Sequence, residues 1–325
     1  MKDQYQRTID YIRISVTDRC NFRCRYCMPE EGVESICHTE IMTYEEILGL
    51  VRLAAGLGIK KVKITGGEPL VRKGVCGLIG EISRMPAIES VTVTTNGVLL
   101  EQYLPELVQA GVAGINISLD TLDRERFHYI TRRDDYDKVE AGLKQAAATG
   151  IPIKINCVPM RGFNEDELVD IAALAKNDPI AVRFIEMMPI GMGVENAGIY
   201  QDEIRQILES RYGIMLPVEA TLGNGPAKYY QIPGFQGKIG FISAVSHEFC
   251  EVCNRVRLTA DGILKPCLNY ESHVNLKQEM RNGIDDRELE KILKDTIYAK
   301  PRCHSFRDQT KKEIQEKRKM AGIGG

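Results

Sequence analysis

The chain has no run of eighteen apolar residues, and its opening stretch, Met1-Lys-Asp-Gln-Tyr-Gln-Arg7, lacks the apolar core of a secretory leader. Secretion and membrane insertion are therefore not expected, and a cytoplasmic location is. An excess of one charge is missing as well: 43 Lys and Arg stand against 45 Asp and Glu, a net −2, so nothing draws the whole molecule to nucleic acid or an anionic membrane. A polyanion would have to be held by a local set of cations. No internal repeat or low-complexity tract interrupts the chain, whose 325 residues, 43% of them apolar, suffice for one large domain or two smaller ones. In a reducing compartment ten cysteines do not make a disulfide framework. Grouped thiols then point to metal, while Cys37, Cys76 and Cys157 read as ordinary side chains.

Two groups of three cysteines stand out, and each lacks a nearby fourth. The first is Cys20-x3-Cys24-x2-Cys27, a spacing that lets a tight loop turn three thiols to one side. Iron–sulfur clusters normally take four thiolates, so three leave one metal position open, as in catalytic metal sites. A structural zinc site more usually pairs two CxxC units. The second group is Cys250-x2-Cys253-x13-Cys267; Cys303 is distant and His247 is crowded against Cys250. Its spacing fits both a zinc site completed by one of these and a second cluster with an open position. Arg255 and Arg257 lie between its ligands, on alternate positions of an extended segment that turn the same way. Two such guanidinium groups suit a phosphate chain; without the cysteines they would read as a solvated polar face.

Strand-like segments near 11–16, 61–65, 90–95, 114–120, 151–158 and 181–187 alternate with helical ones, with no hairpin turn between them. Thr43 with Glu46 reads as a capping box, and Asn164 as the cap of another helix. The pattern predicts an α/β fold, an incomplete (β/α)6 barrel of the TIM type over residues 1–190. Residues 191–325 predict an α+β extension covering the barrel mouth, with a helix at 201–212, an antiparallel pair near 228–232 and 237–243, and a basic tail at 305–325 that ends in Gly324-Gly325. The unusual residues, Cys20 to Cys27, Gly66-Gly-Glu-Pro69, Thr94 to Gly97, Ser118 to Asp120 and Glu186 to Pro189, fall at strand C-terminal ends, where such barrels place their chemistry.

The CxxxCxxC spacing resembles that of the radical S-adenosylmethionine superfamily. Over nearly its whole length the chain is similar, more closely, to the GTP 3′,8-cyclase family of molybdenum cofactor biosynthesis. The matching stretches are Ser15-Val-Thr-Asp-Arg-Cys20 through Cys27-Met-Pro, Ile64-Thr-Gly-Gly-Glu-Pro-Leu70, Thr94-Thr-Asn-Gly97, Ser118-Leu-Asp120, Arg183-Phe-Ile-Glu186, and the second cysteine group. The resemblance implies two [4Fe–4S] clusters, on Cys20, Cys24 and Cys27 and on Cys250, Cys253 and Cys267. It implies reductive cleavage of S-adenosylmethionine to methionine and a 5′-deoxyadenosyl radical, which takes the ribose 3′-hydrogen of GTP; the carbon radical then attacks guanine C8. It further implies that Tyr26, Gly67, Ser118 and Met188 line the S-adenosylmethionine site, Tyr26 and Gly67 largely through backbone groups. Arg13, Lys63, Thr94, Lys154, Arg255, Val256 and Arg257 would contact GTP, and the terminal Gly324-Gly325 would reach the active site. Lys63 stands where the family commonly has Arg, which keeps the charge and loses the two-pronged fork. The implied partners are an electron donor and the downstream cyclic pyranopterin monophosphate synthase, a homodimer is compatible, and nucleic acid and membrane are not expected. Other readings of the same residues are a radical enzyme that modifies peptides with the help of auxiliary clusters, and a non-catalytic iron–sulfur or zinc module.

Overall fold

The computed structural model describes residues 1–33, 36–195, 197–219, 222–306 and 315–324. Its strands are β1 Tyr11–Ser15, β2 Lys61–Thr65, β3 Ser90–Thr95, β4 Gly114–Ser118, β5 Ile153–Cys157, β6 Ala181–Ile185, β7 Leu216–Val218, β8 Lys228–Gln231, β9 Lys238–Ile242, β10 Arg255–Leu258 and β11 Leu264–Lys265. All join one sheet, in the order β11-β10-β1-β2-β3-β4-β5-β6-β9-β8-β7. From β10 through β6 to β9 every pairing is parallel; β11 at one end and β8 and β7 at the other run antiparallel. The six expected parallel strands therefore form, and the extension adds one more to each flank without closing the barrel. The antiparallel pair expected beyond residue 228 is β8 and β9.

The helices are α1 Tyr44–Gly56, α2 Val75–Ser83, α3 Leu100–Gln109, α4 Arg124–Thr131, α5 Tyr136–Ala148, α6 Leu168–Ala173, α7 Gln201–Tyr212, α8 Leu276–Arg281 and α9 Asp286–Tyr298. None is long and apolar enough to cross a membrane. The capping box starts α1: the Glu46 amide donates to Thr43 Oγ1, and the Thr43 amide donates to the Glu46 carboxylate. Alternate strand residues such as Val62, Ile64, Val91, Val93, Ile115 and Ile117 are buried in a single apolar core with residues of the crossover helices, for example Val51, Ile79 and Leu107. The other half of each strand faces the concave side, because side chains alternate across a sheet.

Two local expectations need correcting. Asn164 stands at the start of the 3-10 turn Glu165–Glu167 that leads into α6, but its side chain makes no capping bond; it is fully buried, donates through Nδ2 to the Asp120 and Val158 carbonyls, and accepts from the Met160 amide. A short amide side chain can satisfy buried loop backbone as readily as a helix end. Helix α4 was not foreseen, because its sequence, Arg-Glu-Arg-Phe-His-Tyr-Ile-Thr, has too few apolar residues for a helical stripe. Asp123 starts it by accepting from the Arg126 amide at 2.8 Å.

Candidate active site

Pairing register decides which side chains meet on the concave side. Arg13 lies beside Arg257 on β10 and beside Lys63 on β2; Asn116 lies beside Lys154, and Asn156 beside Arg183. Tyr11, Arg13, Lys63, Thr92, Thr94, Asn116, Lys154, Asn156, Arg183, Arg255 and Arg257 thus line one cavity of about 600 Å³ that runs through the half-barrel. Lys63, Lys154, Arg183, Arg255 and Arg257 form no ion pair among the described residues. Burial, and then the charges of Arg183, Arg13 and Lys154, hold Lys63 well below its ordinary pKa. Lys154 falls to about 8 through burial and Arg183, and burial with neighbouring arginines lowers Arg257 strongly. Like charges enclosed without counter-ions destabilise the empty cavity, and a bound polyanion relieves that cost.

At the strand C-terminal end lies the loop of Cys20, Cys24 and Cys27. Burial first, then the charge of the other two sulfurs, pushes the Cys24 thiol well above its ordinary value; Cys27 rises to about 12 and Cys20 to about 11. Thiols that raise one another lie together, and a coordinated metal reverses the preference by deprotonating them outright. The donor set therefore fits a cluster. The glycine turn after β2 is pinned beneath this loop: the Gly67 amide donates to Thr17 O at 2.7 Å and the Glu68 amide to Arg19 O at 2.8 Å. A Cβ on Gly67 would lie 2.4 Å from Arg19 O, so only glycine allows the approach. Three carboxylates surround this end, all nearly inaccessible. Glu68 accepts from the Leu70 and Asn96 amides and the Thr95 hydroxyl, and burial still raises it to about 7. Asp120 accepts from Tyr26 Oη at 2.7 Å and the Val158 amide, and burial brings it to about 6. Glu186 binds the Val245 and Ser246 amides at 2.8 Å each, tying β6 to the extension.

The second cysteine group lies at the opposite end. Cys253 stands two residues before the start of β10 at Arg255, so Cys250, Cys253 and Cys267 line the cavity where the parallel strands begin. Burial, with the charges of Cys267 and Cys253, raises Cys250 to about 11. Burial acts on Cys253 in the same sense, yet Arg255 and Lys300 bring it down to about 6. This donor set too fits a metal cluster. His304 lies within reach of Cys250, in a group with Glu248.

Of the other anticipated residues, Tyr26, Thr94, Ser118, Met188, Arg13, Lys63, Lys154, Arg255 and Arg257 reach the cavity. Val256 turns the other way, 1% exposed in the apolar layer behind the sheet, so a ligand could meet only its main chain. The tail runs inward: the Arg257 guanidinium donates to Gly324 O at 3.0 Å, and the Ala321 amide points at the Cys27 sulfur. Gly324, at φ +72°, sits where a Cβ would come 3.0 Å from Ser15 Cβ. Gly325 lies outside the described residues. Upstream, the fully buried Lys265 and Glu316 pair, and Glu316 donates its amide to Asn269 O at 2.7 Å. Sequence reasoning gave no role to Arg183 or Asp120, although both fall in stretches it singled out, and it missed Lys300 and His304; Arg183 Nη2 donates to the side-chain oxygens of Asn116 (2.9 Å) and Asn156. For Arg183, Asn116 and Asn156 the signal was available, since each is a polar residue inside a β-branched strand.

Comparison with known proteins agrees with this architecture. The Radical SAM superfamily profile matches residues 14–175, and Molybdenum Cofactor Synthesis C matches residues 180–306. The chain is 47% identical over 325 residues to a GTP 3′,8-cyclase of Clostridium perfringens, covering all of both chains. It is 46% identical to one from Syntrophomonas wolfei, again over the whole of each. Among solved structures it resembles Streptococcus suis SuiB bound to its precursor peptide SuiA, with a TM-score of 0.58 at 16% identity, covering 91% of this chain and 66% of that one, a likeness of fold alone. At such identity over its full length to relatives of one name, the chain belongs to the GTP 3′,8-cyclase family of the radical SAM superfamily.

Proposed function

We propose that the protein is a GTP 3′,8-cyclase that carries out the first step of molybdenum cofactor biosynthesis, with S-adenosylmethionine and two [4Fe–4S] clusters. The observation that carries this reading is one cavity lined at one end by Cys250, Cys253 and Cys267 and at the other by Tyr26, from within the loop of Cys20, Cys24 and Cys27, with cations between them. Cys20, Cys24 and Cys27 would hold one cluster, and Cys250, Cys253 and Cys267 the other. When bound, the first cluster and S-adenosylmethionine supply the electron and the 5′-deoxyadenosyl radical that removes the ribose 3′-hydrogen of GTP, before its carbon joins guanine C8. In this reading residues 1–190 serve S-adenosylmethionine and 191–325 bring the second cluster.

The chain's own groups divide the remaining work. Asp120 and Glu186 make the first end the natural seat of a cationic sulfonium, with Tyr26, Ser118 and Met188 on the same wall and Gly67 offering main chain from the turn after β2. Arg13, Lys63, Lys154, Arg255 and Arg257 neutralise a triphosphate of roughly four charges, with Thr94 beside them and Val256 contributing main chain. Arg183, clamped by Asn116 and Asn156, adds a sixth cation. Burial of the cavity wall excludes water from a radical, and the tail, which runs inward as far as Gly324, closes on the first cysteine loop. An electron donor and a downstream cyclic pyranopterin monophosphate synthase are the partners this chemistry requires, and a homodimer and a cytoplasmic setting are consistent with it.

The test is anaerobic. Reconstituted protein should contain close to eight iron atoms per chain, as two four-iron clusters require. With a chemical reductant it should release 5′-deoxyadenosine and cyclised nucleotide only when GTP is present. Deoxyadenosine without GTP dependence would favour another radical enzyme, and zinc in the second site would overturn the two-cluster reading.

A further inference from the structure

The tail is held at two places, and only one of them, Arg257, lies in the cavity. The other is the ion pair of Lys265, on β11, with Glu316, whose side chains are 0% and 1% exposed. Lys265 Nζ also donates to Tyr270 O, the Glu316 amide donates to Asn269 O at 2.7 Å, and Tyr270 and Gln315 form an antiparallel bridge. The tail is thus fastened to the segment that carries Cys267. Lys265 lies opposite Arg257 in the β10–β11 pairing, and Arg257 holds Gly324 O. Residues 316–324 therefore leave the sheet at one member of a cross-strand pair and return to the other. Between these grips little fixes the chain lengthwise: Ala321 and Ile323 are buried, and the Gly322 amide closes a local turn on Lys319 O. Apolar burial is non-directional, while a slip of one residue moves an extended segment by about 3.3 Å.

We infer that Lys265 and Glu316 are positioning residues for the cyclisation: their pair sets the register in which the tail enters, so that Ala321 arrives at Cys27 and Gly324 at Arg257. The inference rests on the cyclase reading above, in which the tail must lie in one place for hydrogen abstraction to be productive. A buried ion pair serves that end better than burial does. Out of register both charges stay in the interior without each other, which is costly, whereas in register the pair adds little stability over an apolar pair of similar size. What the charges contribute is therefore the register. Arg318 sharpens the distinction, because its guanidinium meets Glu316 at 3.1 Å from within the tail itself. Loss of Lys265 thus leaves Glu316 with a counter-charge and removes only the tie to β11.

The experiment compares reconstituted wild-type holoenzyme with Lys265→Met, Glu316→Ala and the apolar pair Lys265→Met/Glu316→Leu, which keeps burial and removes direction. Limited trypsin digestion with mass spectrometry follows release of the peptide 320–325 after Lys319. Turnover with dithionite, S-adenosylmethionine and GTP gives the ratio of 5′-deoxyadenosine to cyclised nucleotide. In all three variants peptide release and that ratio should each rise about tenfold, since cleavage tracks the undocked population and a misplaced tail uncouples the radical from product. Iron content and cluster spectra should match wild type. Wild-type release and ratio in the apolar pair would show that burial alone sets the register and would overturn the proposal. Loss of iron from the apolar pair would overturn it as well, by making Lys265 and Glu316 supports of the Cys267 segment. So would an effect confined to Glu316→Ala, which strands the Lys265 charge and would mark a purely structural role. If wild type forms no GTP-dependent 5′-deoxyadenosine, the cyclase reading fails, while the digestion arm, which needs no turnover, still decides whether the pair docks the tail.

Discussion

The two cysteine groups have the same number of thiols and opposite surroundings. Around Cys20, Cys24 and Cys27 burial raises all three, the neighbouring sulfurs raise Cys24 and Cys27 further, and the buried carboxylates Glu68 and Asp120 act in the same sense on Cys20 and Cys24. Around Cys250, Cys253 and Cys267 the neighbours are Arg255 and Lys300, enough to bring Cys253 to about 6 against its burial. Ligand count therefore does not distinguish the sites; the charge behind the ligands does. A carboxylate-lined end favours a ligand bearing positive charge, and an arginine-lined end a polyanion, each worth far more in a dry cavity than in water. One chamber can thus hold two substrates at opposite ends without exchanging them.

Removing a ligand at the first end should break the comparison most completely. Cys20→Ser, Cys24→Ser or Cys27→Ser should abolish 5′-deoxyadenosine formation in the reconstituted enzyme, whereas Cys253→Ser should leave the first cluster's spectrum intact and impair GTP binding. Retained cleavage in any of the first three would undo the assignment. Next comes the tail, which meets the first thiols through Ala321 and the cation wall, at Arg257, through Gly324. Deleting Gly324 and Gly325 should spare both clusters and S-adenosylmethionine binding while cutting cyclised product on the order of a hundredfold, the cost of about 1 Å of misplacement. Product at the full-length rate would make the tail dispensable.

A smaller effect is expected from the cations taken singly. Arg255→Ala and Arg257→Ala should each weaken GTP binding by on the order of 1.5–3 kcal/mol, more than Lys63→Ala, in which no guanidinium fork is lost. Equal affinity across the three variants and wild type, by equilibrium binding, would remove the triphosphate from this wall. The subtlest test is pH. The folded pKa of Lys154, about 8, is below its ordinary 10.5, so between these values the unfolded chain binds more protons and the ligand-free protein gains stability as pH rises. GTP favours the charged form, so it should raise the melting temperature more at about pH 7 than at about pH 9. Identical shifts at both pH values would place the triphosphate away from Lys154.

Much of this was readable from residue order, because the relevant forces are local. Alternation of β-branched strands with amphipathic helices specified a parallel sheet, the capping box specified the start of α1, and spacing within eight residues specified that three thiols share one loop. Arg255 and Arg257 share a face by the two-residue period of a strand, which no tertiary contact is needed to impose. The same period sends the Val256 side chain into the apolar layer and leaves its main chain to face a ligand. The role of Asn164 was not readable, since a buried amide is satisfied by whichever loop arrives beside it.

Residue order alone settles which groups neighbour one another along a strand or within a loop, since covalent geometry and side-chain period act over a few residues. It could not settle that β10 pairs with β1 and β9 with β6, because such pairings join positions some 240 and 55 residues apart on the basis of edge hydrogen bonds and shared core. Those two pairings bring Arg257 beside Arg13, set the second cysteine group at the strand starts, and leave the tail to reach the first group at the strand ends. The opposition of the two ends, on which the function depends, thus belongs to the folded sheet.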